Sequence, residues 1–128
     1  MDEEKKNFIE IEGIGKITFR KLTKSDYFTI RDESIETKIM EGQEIQKLLT
    51  GTYEKLILIF GIESAPFYNE SWTPGLEIKG RLRKQRESEF DNSDFIMQDA
   101  DKLFKEILEF NKVDQEEIDR IRKKQSNT

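Results

Sequence analysis

The chain has 128 residues, 38% of them charged, and 27 acidic against 22 basic side chains leave a net charge of −5. It holds neither cysteine nor histidine, which excludes disulfides, thiolate metal sites, cysteine nucleophiles and the commonest general base. A chain of this size buries about 68% of its unfolded surface, enough for one core without staples, while its negative charge repels nucleic acid and anionic membranes at long range.

The opening residues are charged, and no apolar run approaches the roughly 18 residues of a spanning helix, so neither a leader nor a membrane anchor is expected. Residues 1–7 are expected to form a charged tail, residues 8–121 one domain, and residues 122–128 a frayed end. From Phe8 the sequence alternates: Ile9, Ile11, Ile17 and Phe19 share one side, with charged residues between them. This predicts a hairpin whose turn uses Gly13 and Gly15. Thr23 with Asp26 three residues on reads as a short-armed capping box. The helix it opens is expected to carry Tyr27, Ile30, Ile35 and Ile39 inward and to stop at Gly42.

A second helix is expected from Glu44 to Phe60, with Ile45, Leu48, Leu49, Tyr53, Leu56, Ile57 and Phe60 on one face. Gly51 inside it marks a close helix contact or a break. Leu58 and Ile59 make its end apolar all round, which requires more than one neighbour. Residues 62–92 hold both prolines and the sole tryptophan and read as an irregular loop. Ser93 or Asp94 then caps a helix with Ile96, Ala100, Leu103, Phe104, Ile107 and Leu108 along one stripe, ending near Asn111. A last helix begins at Asp114, with Ile118 and Ile121 on one side. The expected architecture is therefore α+β, mostly helical, with an N-terminal β-hairpin packed on about four helices.

Candidate chemistry is sparse. Lys79, Arg81, Arg83, Lys84 and Arg86 form a basic segment that, beside Phe67, Tyr68, Trp72 and Phe90, has the ingredients of a single-strand nucleic-acid track. The interleaved acids and the overall charge favour a solvated or partner-facing segment instead. The carboxylate neighbours Asp99 with Asp101 and Glu116 with Glu117 do not share a helix face. The short Gly13–Gly15 stretch lacks the lysine and hydroxyl pair of a phosphate-binding loop. Trp72 fits two roles equally, an anchor in a partner's pocket or a lid on the core. No nucleophile with a partnered base is nominated, so neither catalysis nor a cofactor or metal is expected.

Two groups of residues carry a resemblance. Arg20, Leu22, Thr23, Asp26 and Tyr27 lie at the strand-to-helix junction, and Leu103, Phe104, Ile107, Leu108 and Asn111 lie near the C-terminus. In this order of elements the chain resembles the small tail assembly chaperones of long-tailed bacterial and archaeal viruses. The resemblance implies a non-enzymatic protein that binds and solubilises the long, helical tape measure protein until tail tube subunits polymerise around it. It also implies self-association along the client, action in the cytoplasm of the infected host cell, and absence from the mature virion. On this reading Tyr53, Leu56, Ile57 and Phe60 pack in the core, while Leu58, Ile59, Ile62, Phe67 and Trp72 border a partner surface. A structural tail completion or head-to-tail connector protein, and a small nucleic-acid-binding regulator using the basic segment, are the alternatives.

Overall fold

The computed structural model describes residues 6–72, 79–93 and 97–111. Strands β1 (Phe8–Ile11) and β2 (Gly15–Phe19) form the expected antiparallel hairpin, and β2 pairs on its other side with β5 (Ile62–Ser64). Gly13 and Gly15 both take positive φ at its turn, at 86° and 118°, a conformation that costs glycine nothing. Helix α1 (Lys24–Ser34) opens with the expected capping box. Thr23 Oγ1 accepts from the Asp26 amide at 3.1 Å, and the Asp26 carboxylate accepts from the Thr23 amide at 3.1 Å.

The next segment departs from expectation. Helix α1 ends at Ser34, and β3 (Ile35–Met40) and β4 (Gln43–Leu48) form a second hairpin, so neither Ile35 and Ile39 nor Ile45 and Leu48 are helical. Gly42 is no helix stop. It shares a two-residue turn with Glu41, their φ values being 78° and 53°, the positive pair that matches the twist of a tight hairpin.

Helix α2 (Thr50–Phe60) retains the apolar half of the expected helix. Gly51 lies at its start with open space around it, so the break, not a close contact, explains this glycine. All five residues Leu56–Phe60 are buried, because α1, α3 (Lys79–Asp91) and α4 (Met97–Asn111) each pack on α2 and β5 follows at once. Each such side chain contributes about 1.5–3 kcal/mol of gross apolar burial. At its end the Gly61 amide donates to the Ile57 carbonyl at 2.7 Å. A Cβ on Gly61 would stand 2.4 Å from Ile107 Cγ2, so the close crossing of α2 and α4 requires glycine there.

Residues 62–92 are not a continuous loop, since they contain β5 and the whole of α3. The architecture is α+β, with four helices among the described residues. The expected cap at Asp94, the contact of Ile96, the helix from Asp114 and the frayed end lie outside the described residues. Ser93 is described, and its hydroxyl donates to the Phe90 carbonyl at 2.8 Å.

Candidate functional site

The residues expected to border a partner are mostly interior. Leu58, Ile59, Ile62 and Trp72 are all buried, Trp72 to 1% exposure, and Phe67 is half-buried against Tyr68. The physical reason is the neighbourhood of Trp72. Its ring packs tilted against Phe60, centroids 5.4 Å apart, and carries the Arg20 guanidinium on one contact and the Arg86 guanidinium on another, at 4.5 and 5.4 Å. A tryptophan with cations over its ring gains from its π-face and its burial together. Of the two roles for Trp72, the structure selects the lid.

The basic segment is likewise dismantled as a patch. Arg86 has no exposed surface. Its guanidinium donates to the carbonyls of Ile59 at 2.9 Å, Ile62, Glu63 at 2.9 Å and Glu70 at 3.2 Å. It therefore pins the end of α2, strand β5 and the following turn to α3. Burial brings its pKa down to about 10, an effect partly opposed by the nearby Tyr68. Burial raises the Tyr68 phenol in turn, and its hydroxyl donates to the Leu58 carbonyl at 3.1 Å. Arg83 donates to both oxygens of Glu33 and to Glu87, and Arg81 pairs with Glu70 at 3.1 Å. Those contacts raise the Arg83 pKa and hold the Glu33 carboxyl below its ordinary value. Lys84 is exposed on the same helix, and the Lys79 side chain lies outside the described residues.

The residues of the strand-to-helix junction and those near the C-terminal end of α4 meet in space. Arg20 donates to the Asp26 carboxylate at 2.9 Å and to the Phe60 carbonyl at 2.8 Å. Asn111 accepts from the Leu22 amide at 2.8 Å while donating to the carbonyls of Arg20 at 3.3 Å and Ile107 at 3.0 Å. Lys21 donates to the Phe110 carbonyl, placing a cation at the negative end of α4. The strand-to-helix junction thus clasps the C-terminal end of α4.

Beside this clasp an open groove of about 420 Å³ runs between β1 and α4. Phe8, Ile9 and Phe110 form its apolar part, and Lys6, Lys102, Glu106 and Glu109 its charged part. Strand β1 is the edge of its sheet among the described residues. The sequence carried a signal for the groove in the alternation of β1, but not for its partner, because Lys102, Glu106 and Glu109 read only as the solvent face of α4. Among the described residues no cluster of acidic side chains converges to hold a metal ion, and no helix is long and apolar enough to cross a membrane. Comparison with family models, with curated proteins and with solved structures returned no match.

Proposed function

We propose that this chain is a non-enzymatic tail assembly chaperone that binds and solubilises a tape measure protein through the groove between β1 and α4. The observation that carries the reading is that groove. Phe8, Ile9 and Phe110 line it where it wraps the edge of β1, Phe8 and Ile9 facing opposite sides of the strand, and with two lysines and two glutamates beside them they suit one face of a long amphipathic helix whose flanking residues carry both charges. The clasp of Arg20, Asp26 and Asn111 supports it by holding α4 against the N-terminal sheet, so the groove has a fixed wall. A surface rich in both signs of charge keeps such a complex soluble. In this role the chain acts in the host cytoplasm, contacts the tail tube protein only as assembly proceeds, and leaves before the particle is complete. Nucleic acid is no partner on this reading, since Arg81, Arg83 and Arg86 are already engaged within the fold.

The test is an affinity capture of the tagged full chain from virus-producing cells, in moderate salt and after nuclease treatment, with identification by mass spectrometry. The expected result is one very long, helix-rich protein, with recovery reduced at least about tenfold by Phe8→Glu in a variant that keeps its helical circular dichroism. Recovery of only portal or tube components favours the connector reading, and binding that vanishes with nuclease favours the nucleic-acid reading. Either removes the proposal.

A further inference from the structure

Strand β3 has the composition of a strand made to pair with itself. The β3–β4 ribbon is a two-stranded sheet, so β3 has one partner and one open edge among the described residues. Two observations establish which backbone groups face that edge. The turn leaves Met40 opposite Gln43 with two residues between them, and the Leu49 amide donates to the Ser34 carbonyl at 2.6 Å. Backbone groups alternate along an antiparallel strand, so the even residues of β3 bond to β4. Ile35, Thr37 and Ile39 therefore present their amides and carbonyls outward.

The side chains around Thr37 are mirror-matched in chemistry: Ile35, Glu36, Thr37, Lys38, Ile39. When two copies meet antiparallel about a twofold axis at Thr37, each Ile35 faces the second copy's Ile39 and each Glu36 faces the second copy's Lys38. The outward amides and carbonyls of Ile35, Thr37 and Ile39 then find complementary partners. The charged pairs fall at positions outside the hydrogen-bonded pairs, where side chains approach most closely. Sliding the register either way to the next bonded alignment sets Glu36 against Glu36 or Lys38 against Lys38, and like charges directly opposite destabilise a sheet. Strand β4 has no such match, because its outward residues would place Glu44 against Leu48.

Exposure fits the same occupant. Ile39 is 79% exposed, a large apolar side chain at an open strand edge, which proteins ordinarily cover or blunt. A ribbon of two strands is also marginal alone, whereas four strands are not. Pairing would place Ile35, Thr37 and Ile39 of both copies on one face beside Leu48, and Glu36 between its own Lys47 and the second copy's Lys38.

We infer that the open edge of β3 is a self-association surface, joining two copies through a four-stranded sheet in the order β4–β3–β3–β4. The contact is closed and twofold, and it uses none of the residues that line the β1–α4 groove. It does not rest on the client proposed above, and no client enters its test.

Sedimentation velocity of the purified full chain over a wide concentration range is expected to show a monomer–dimer equilibrium. Thr37→Pro removes an outward amide that β4 does not use, so it abolishes the dimer while circular dichroism, and melting at concentrations where the wild type is monomeric, stay unchanged. Glu36→Lys and Lys38→Glu each turn both attractive pairs into repulsive ones and raise the dissociation constant about tenfold or more. An equimolar mixture of those two variants restores dimers, since lysines on one copy then face glutamates on the other. A wild-type chain that stays monomeric at its highest soluble concentration overturns the inference. So does association that survives all three substitutions, or a mixture that fails to recover.

Discussion

Helix α2 with the turn to Trp72 and the β3–β4 ribbon are neighbours in sequence and opposites in physics. The first buries every residue from Leu56 to Phe60 and holds its end with the side chains of Arg20 and Arg86. The second leaves residues 37–44 exposed and meets the rest of the molecule chiefly through its junction with α1. Density of apolar residues is thus a guide to the interior, whereas apolar residues set among charged ones, such as Ile39, stay at the surface. Charge misleads in the same pair of regions. The arginines nearest the core serve as internal hydrogen-bond donors, while Glu36 and Lys38 in the ribbon remain exposed and lie 3.8 Å apart.

The largest effect that separates the regions is expected from Arg86→Ala. It leaves the buried carbonyls of Ile59 and Ile62 and the part-buried one of Glu70 without this donor, while the Glu63 carbonyl keeps the Trp72 amide, and unsatisfied buried groups cost about 1–3 kcal/mol each. Urea denaturation should show a loss of about 3 kcal/mol or more, with some carbonyls rescued by water. Next comes Gly61→Ala. The new methyl would collide with Ile107 and with the Ile57 carbonyl, and overpacking of this kind costs about 1–3 kcal/mol. Its signature is loosening of α2 against α4, visible as weakened contact between the Tyr53 and Phe104 rings, now 5.8 Å apart edge to face.

In the ribbon, Ile39→Lys should move the melting of the monomer by no more than about 0.5 kcal/mol, the range of an ordinary surface change. A loss as large as that of Gly61→Ala would mean that the ribbon belongs to the core after all. A comparably small effect is expected of acid on the tie between α1 and α3. The hydrogen bond from Arg83 lowers the Glu33 pKa in the fold, so the unfolded chain takes up its proton first as pH falls. The stabilisation is complete above the ordinary carboxylate value of 4.5 and is lost as pH drops through the lowered one. Because Glu33 is well exposed, Glu33→Gln should remove only about 0.5 kcal/mol at neutral pH and flatten that acid limb.

Much of the core was legible in the sequence because its signals were local. Alternation marked β1 and β2, Thr23 and Asp26 marked the start of α1, and the stripe from Leu103 to Leu108 marked α4. The ribbon was hidden by coincidence of spacing. Ile35 and Ile39 stand four apart and Ile45 and Leu48 three apart, which suits a helix as well as a strand, and Glu41 taking positive φ beside Gly42 has no Asn–Gly signature. Helix α3 was hidden by chemistry. Its inward line runs Leu82, Arg86, Phe90, and the middle member counts as core only when the carbonyls that receive it are known. The same blindness placed Ile59, Ile62 and Trp72 on a partner surface, since their covers, Arg20 and Arg86, are cations that read as solvent-facing.

Native-state hydrogen exchange at low protein concentration tests the contrast between the two regions most directly. Amides from Tyr53 to Phe60 are expected to exchange only through global unfolding, and those from Glu36 to Lys47 through local opening, far faster and with little dependence on denaturant. Equal protection in the two segments, or faster exchange in α2 than in the ribbon, would contradict that contrast.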